Sequence, residues 1–329
     1  MKPLKNCTIG IASGKGGVGK TVITANLALS LAQQFRAQRG SVVAIDLDLG
    51  CGNLNTCLGV RSPNGTINSF LLKKVANLRQ LLTPTEQANL QMICSSYSGS
   101  PEIRLDDKSK KDLLNKIRTL GADFVLMDLG AGTSTNVLDL FLGASEKIIV
   151  ITPEALSLHN AFVFLKTVIL HFLWRELEKE EFLSPLKSTL QRMVTGQEDL
   201  NVRKLVDRLK VWDRYSAYIV AGLIDDLKIR FVVNMYRGGA EESHLRNFHN
   251  LLFRHLCVRS NISYLGFVHF DSGVPVSVQG IRPFLLRYPD NRAAIDMWEV
   301  AERLAKEQEL YNTPSLHFPK RPWWRSMIP

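Results

Sequence analysis

Eight consecutive residues constrain this 329-residue chain more than any other feature: Gly14-Lys15-Gly16-Gly17-Val18-Gly19-Lys20-Thr21. The run fits G-x-x-x-x-G-K-[ST] and stands between an apolar strand-like segment, Cys7–Ala12, and a segment of helical periodicity. Glycines let a backbone wrap a polyphosphate with its N–H groups turned inward, and the N-terminus of the following helix adds partial positive charge. Lys20 is then expected between the β and γ phosphates of a nucleoside triphosphate, and the Thr21 hydroxyl on Mg²⁺. A chance glycine-rich turn would not match all eight positions in this strand-to-helix context.

The rest of the sequence keeps the rhythm of βαβ units. Thr21–Arg36 places Val22, Ala25, Leu29 and Ala32 at helical spacing, with Gly40 as its stop. Strands are expected at Val42–Asp46, Leu90–Cys94, Phe124–Met127, Ile148–Ile151, Phe231–Asn234 and Tyr264–Val268, and an amphipathic helix at Lys108–Leu120. About fifty mixed-charge residues, Arg175–Asp226, separate the helix that begins near Leu158 from the next strand, far more than a crossover needs. They read as a helical insertion, serving either as a structural cap or as a docking element. The fold class is therefore α/β: a P-loop NTPase with a doubly wound, mostly parallel sheet and a helical insertion at about 175–226. One ATPase-type domain is expected over 1–310, followed by a basic tail over 311–329.

Two acidic positions complete a hydrolytic constellation. Phe124–Met127 runs into Asp128, the usual place for the acid that holds Mg²⁺ through water. Asp46-Leu47-Asp48 ends the second strand, and alternation puts its two carboxylates on one side, near the edge where open α/β sheets bind ligands. Thr21, Asp46 and Asp128 are the expected metal set. Turn formation or helix capping is the structural alternative for an Asp at a strand end.

These residues resemble the MinD/ParA family. Ser13–Thr21 is similar to its deviant Walker A motif, marked by the extra lysine Lys15. The resemblance implies that Lys15 reaches the partner's ATP phosphates across a sandwich dimer, so the catalytic set is Lys15, Lys20, Asp48 and Asp128. Asp46–Gly59 resembles the first switch, in which Asp48 would position the attacking water, and Asp128–Gly132 the second, with Leu129 where the family carries a hydroxyl residue. Thr152-Pro153-Glu154 matches too, and Asn234 in Val232-Val233-Asn234 would read the adenine. The implied ligands are ATP and Mg²⁺, held by Gly14, Lys15, Gly16, Gly17, Val18, Gly19, Lys20, Thr21 and Asn234. The implied activity is slow, partner-stimulated ATP hydrolysis. Asp128–Gly132, Val150–Glu154, Tyr264–Val268, Arg282-Pro283-Phe284 and Tyr288-Pro289-Asp290 resemble the flagellar-number branch, FlhG/FleN. That branch implies an ATP-dependent homodimer acting on a protein partner, a GTPase or a transcriptional regulator. Many members stimulate their partner GTPase through an N-terminal segment that has no counterpart before Cys7.

Composition leaves the partner class open. The formal charge is +10, with six Lys/Arg and no acid over residues 1–45. This suits an anionic partner, and a ParA-type partition ATPase that binds nucleic acid is the second reading. It would lack an N-terminal helix-turn-helix and a dense basic C-terminal stripe. The five cysteines form no CxxC pair, and none lies between Asp128 and Cys257, which argues against a disulfide frame, a zinc site or an iron–sulfur carrier. No secretory signal precedes the first strand, and Ala161–Trp174, broken by Lys166 and His171, reads as a buried helix. The chain is expected in the cytoplasm. Its tail, Lys320-Arg321-Pro322-Trp323-Trp324-Arg325, has two open readings: weak contact with an anionic membrane at its inner face, or packing of the tryptophans on the protein itself.

Overall fold

A computed structural model of the chain describes residues 6–37, 39–50, 52–95, 103, 105–177, 201–212, 214–239, 241–256 and 262–312. The basic tail and the middle of the insertion, 178–200, lie outside the described residues. Eight strands form one sheet in the order β3-β4-β2-β5-β1-β6-β7-β8. They are β1 (Cys7–Ser13), β2 (Val42–Leu47), β3 (Thr83–Pro84), β4 (Leu90–Ile93), β5 (Phe124–Ala131), β6 (Glu146–Ile151), β7 (Ile229–Tyr236) and β8 (Ile262–His269). All neighbouring pairs are parallel except β3 with β4. The β1 strand sits near the middle, between β5 and β6, so its carboxyl end opens where the strand order reverses, the place at which such sheets bind ligands.

Helices cover both faces, which is why the central strands read as continuous apolar runs rather than alternating ones. On one face α1 (Lys20–Gln34) packs with a C-terminal helix, Arg292–Asn312, against Ile9, Ile11, Ala44, Phe124 and Leu126. On the other face α4 (Asp107–Arg118), α5 (Thr135–Gly143) and α6 (Ala155–Leu177) pack against Ile45, Val125, Met127, Ile149 and Val233. Short helices at Leu54–Cys57 and Ile67–Leu71 are α2 and α3. After α6 come α7 (Val202–Trp212), α8 (Arg214–Asp226) and α9 (Glu241–Leu256); α10 (Gly273–Gln279), α11 (Phe284–Arg287) and α12 (Arg292–Asn312) complete the chain order.

The expected elements are present, with informative differences at their ends. The helix expected near Leu158 begins at Ala155 and continues to Leu177, past His171 and Arg175. By length and composition it is apolar enough to cross a membrane, but half of that stretch is buried, and Phe164, Leu165, Val168, Ile169 and Leu173 place it in the core. Strands β6 and β7 begin two residues before their apolar runs. Glu146 and Arg230 lie there, and their buried ion pair at 3.0 Å lets charged residues enter the sheet. The insertion contributes α7 and α8, whose Val202, Leu205, Val206, Leu209, Ala217, Val220 and Ile224 join the α6 face of the core.

Candidate nucleotide-binding site

The glycine run forms a loop at the carboxyl end of β1, and α1 starts at Lys20. Gly17 and Gly19 have φ of 84° and 80°, a region in which L side chains are strained. A β-carbon at Gly16 or Gly17 would meet nothing within 4 Å, so these two face open space. Gly14 is different: a β-carbon there would lie 2.2 Å from the Asn160 carbonyl oxygen, because the loop passes directly against α6. The Ser13 hydroxyl donates to the Lys15 carbonyl (2.9 Å), and the Gly132 N–H donates to the Ser13 carbonyl (3.0 Å), which joins the loop to the end of β5.

Beneath the loop lies a buried charge cluster. Lys20 Nζ donates to Asp128 Oδ1 at 2.7 Å, and the Thr24 hydroxyl, one turn along α1, is 3.1 Å from the same oxygen. Strand register sets Asp46 beside Asp128, and alternation turns both toward α1. Asp46 accepts the N–H groups of Asp48 and Leu54, both at 3.1 Å. Burial pushes the Asp46 carboxyl up to about 7, and the neighbouring Asp128 charge adds to the rise. Gly52 is packed so closely that a β-carbon would lie 2.3 Å from Asp46 Oδ2.

Asp48 lies just past the end of its strand. Strand β2 ends at Leu47, so alternation no longer fixes the next side chain. The Asp48 carboxylate instead approaches Gly130, where a β-carbon would lie 3.9 Å from Oδ1. Leu129 faces away from Asp128, fully buried in the core on the α5 and α6 side. Asp48, Leu49, Leu129, Gly130 and Val137 border one cleft between the ends of β2 and β5.

Lys15 and Asn234 lie at the two flanks of the loop. Lys15 Nζ is 3.5 Å from Glu154 Oε2, both partly exposed. Asn234, buried at the end of β7, donates from Nδ2 to the Val18 carbonyl at 2.8 Å. It borders an apolar cleft that runs from Gly19 to the ends of β7 and β8. Sequence reasoning missed Thr24, whose signal was a second threonine one helical turn after Thr21, and Glu154 as the neighbour of Lys15.

The donor set fits a hydrated divalent cation bound together with phosphate. Among the described residues no group of three or more His, Cys, Asp and Glu is placed to cage a metal unaided. Mg²⁺ takes only one or two carboxylates and fills its remaining positions with water and phosphate oxygens, which Asp46, Asp128 and the half-buried Thr21 can accommodate. Asp128 Oδ2 is buried with no hydrogen-bond partner, an acceptor still to be satisfied. The cysteines are poor ligands by comparison: burial pushes the Cys7 and Cys57 thiols up to about 12.

The chain is similar to known proteins. The sequence model of a family described as "ParA: NUBPL iron-transfer P-loop NTPase" matches residues 5–168. The septum site-determining protein MinD of Helicobacter pylori is 36% identical over 152 residues, 46% of this chain and 54% of that protein. The chain thus spans about half the length of the curated relatives it matches. Among solved structures, MinD of Pyrococcus horikoshii OT3 complexed with Mg-ADP superposes with a TM-score of 0.61 at 20% identity, covering 92% of this chain and 98% of that one. A ParA family ATPase of Chlorobium tepidum TLS gives 0.61 at 17% identity, covering 91% and 99%. At such identities the likeness establishes the fold, an α/β P-loop NTPase.

Proposed function

We propose that the chain, whose residues 5–168 match the ParA family model and resemble MinD, is a ParA/MinD-like ATPase that switches between a monomer and an ATP-bound homodimer. The observation that carries the reading is the buried Lys20–Asp128 pair at the end of the glycine loop, with Asp46 beside it. A lysine ammonium and inward-facing backbone N–H groups suit the phosphates, and the N-terminus of α1 reinforces them. Thr21, Asp46 and Asp128 would hold Mg²⁺, which when bound neutralises phosphate charge. Asp48, set apart from Asp46 at the edge of the switch cleft, orients the attacking water. Asn234 holds the base end against the loop.

Lys15 supports the dimer. Lys20 already supplies the ammonium inside this loop, and Lys15, partly exposed, lies 3.5 Å from Glu154 Oε2. Its target in the proposal is the phosphate of the facing subunit. The ATP-bound dimer is the form that recruits a protein partner, a GTPase or transcriptional regulator, to position or limit assembly of a cellular structure such as the flagellum. The proposed setting is the cytoplasm, with weak contact at the inner membrane face through the tail. The iron-transfer role in the family description lacks support here, since no cysteine lies between Asp128 and Cys257.

The test separates binding from turnover. Lys20→Ala removes the charge beside the phosphates and should abolish MgATP binding, whereas Asp48→Ala should keep binding and lose hydrolysis. Equal loss of affinity in both variants would contradict the assigned roles.

A further inference from the structure

The opposite edge of the sheet carries a pocket whose charge the nucleotide site does not explain. Thr119 and Leu120 end α4 and lead into the amino end of β5, whereas the glycine loop follows the carboxyl end of β1, the parallel neighbour of β5. The eight residues of β5 set the two edges about 25 Å apart. At the amino edge Ala76, Asn77, Leu78, Arg79, Lys116 and Thr119 border a pocket of about 280 Å³. Among the described residues no Asp or Glu lines it. Both contributing stretches are free of acids. Leu49–Thr85 holds Arg61, Lys73, Lys74 and Arg79 and no Asp or Glu, and Leu113–Ala122 holds Lys116 and Arg118 and again none.

We propose that this pocket is an anion site that takes a phosphate monoester. The acceptors around it are already engaged. The Asn77 carbonyl accepts the Gln80 N–H (3.1 Å), and Asn77 Oδ1 accepts the Arg79 N–H (3.0 Å). The Lys116 carbonyl accepts the Thr119 hydroxyl (3.0 Å), and the Thr119 carbonyl accepts Arg79 Nη2 (3.0 Å). What remains is a set of donors: the other nitrogens of the Arg79 fork, Asn77 Nδ2 and the Lys116 ammonium. Neither Arg79 nor Lys116 is in an ion pair among the described residues.

Spent acceptors and unspent donors suit a ligand that is negatively charged and accepts hydrogen bonds only. The bond to Thr119 holds one edge of the guanidinium, so the rest of its planar fork is preorganised for oxyanion oxygens, and Lys116 adds a point charge. Two cations answer the double charge of a phosphate monoester better than the single charge of a carboxylate. Cations near the end of α4 also offset the helix dipole. Arg79 does this through the Thr119 carbonyl, but the Lys116 ammonium makes no such bond among the described residues. The pocket is larger than one phosphate group and leaves room for a small alcohol that carries it.

A soluble phosphate ester and a phosphatidic acid headgroup both present this chemistry, and the test has an arm for each. The full chain is first saturated with Mg²⁺ and a non-hydrolysable ATP analogue, to fill the glycine loop. It is then titrated calorimetrically with glycerol 3-phosphate. The wild type should bind, and Arg79→Gln/Lys116→Gln should bind at least about tenfold more weakly while keeping its affinity for the ATP analogue. Lys116→Gln alone, which removes no bond within the fold, should account for part of that loss. In the second arm the same proteins are sedimented with phosphatidylcholine vesicles that contain phosphatidic acid. Retention lost in the double variant assigns the headgroup as the source, and equal retention assigns the soluble ester. A wild type that does not bind glycerol 3-phosphate, or a double variant that binds it as tightly as the wild type, overturns the proposal. Neither result bears on the glycine loop, whose reading is tested by the ATP analogue itself.

Discussion

The ammonium of Lys20 lies 2.7 Å from Oδ1 of Asp128, and both side chains are buried, at 7% and 0% exposure. Lys20 opens α1 and Asp128 lies on β5, so this one contact joins the glycine loop to the neighbouring strand. Asp46 sits beside Asp128 in the ladder, so one buried cation answers two carboxyl groups.

That imbalance predicts a stability defect separate from any loss of binding. Lys20→Ala leaves Asp128 buried without its counterion and should cost about 3 kcal/mol in urea unfolding without nucleotide. Adding Asp128→Asn should recover part of the loss, as a double-mutant cycle would show. The Asp46 carboxyl, pushed up to about 7 from its ordinary 3.8, adds a pH dependence. Between those values the folded chain holds a proton that the unfolded chain has released. The contribution of Asp46 is therefore full below about pH 3.8 and is lost as pH rises through about 7. Asp46→Asn should flatten that part of the profile.

Two glycines of the loop should respond in opposite ways. Gly14→Ala drives a β-carbon into the Asn160 backbone at 2.2 Å and should destabilise the fold itself. Gly16→Ala meets nothing within 4 Å and should leave the thermal midpoint of the nucleotide-free protein within about 2 °C. It occupies space that the phosphates take in the proposed site, however, and should lower MgATP affinity at least about tenfold by calorimetric titration. Unchanged affinity would move the phosphates away from this part of the loop.

A second charged centre ties the helices of the opposite face together. Asp139 on α5, 5% exposed, accepts from Lys110 Nζ on α4 at 2.7 Å, and from Arg175 Nη1 on α6; His171 Nε2 lies 2.6 Å from it. Burial alone would raise the Asp139 carboxyl, but the hydrogen bonds from His171 and Lys110 and the charges of His171 and Arg175 outweigh it and hold the group well below the carboxylate range. Its stabilisation is present above the ordinary value of 3.8 and is lost as pH falls further. Asp139→Ala strands the buried Lys110 and should cost about 3–5 kcal/mol at pH 7 by chemical denaturation.

Much of this architecture was legible because local chemistry and global fold agree there. The loop from Gly14 to Thr21 carries its own conformational demands, and strands buried on both faces announce themselves as apolar runs. The unread parts depend on partners distant in sequence. Glu146 and Arg230 look like loop residues until they pair across neighbouring strands. His171 looks like an interruption of an apolar stretch and Arg175 like the start of the insertion; their shared target, Asp139, lies on another helix. The setting of Asp48 depends on the loop that follows, because its strand ends one residue before it. Short α2 and α3 and the two-residue β3 have too little periodicity to be seen.

The central claim is a nucleotide-controlled change of assembly, and sedimentation of Asp48→Ala tests it most directly. With MgATP bound and not hydrolysed, the variant should sediment as a dimer at tens of micromolar, order-of-magnitude conditions for a weak protein interface. With MgADP it should sediment as a monomer, and adding Lys15→Ala should return the MgATP form to monomer while leaving ATP bound. An ATP-saturated Asp48→Ala protein that remains monomeric across that range would contradict the account.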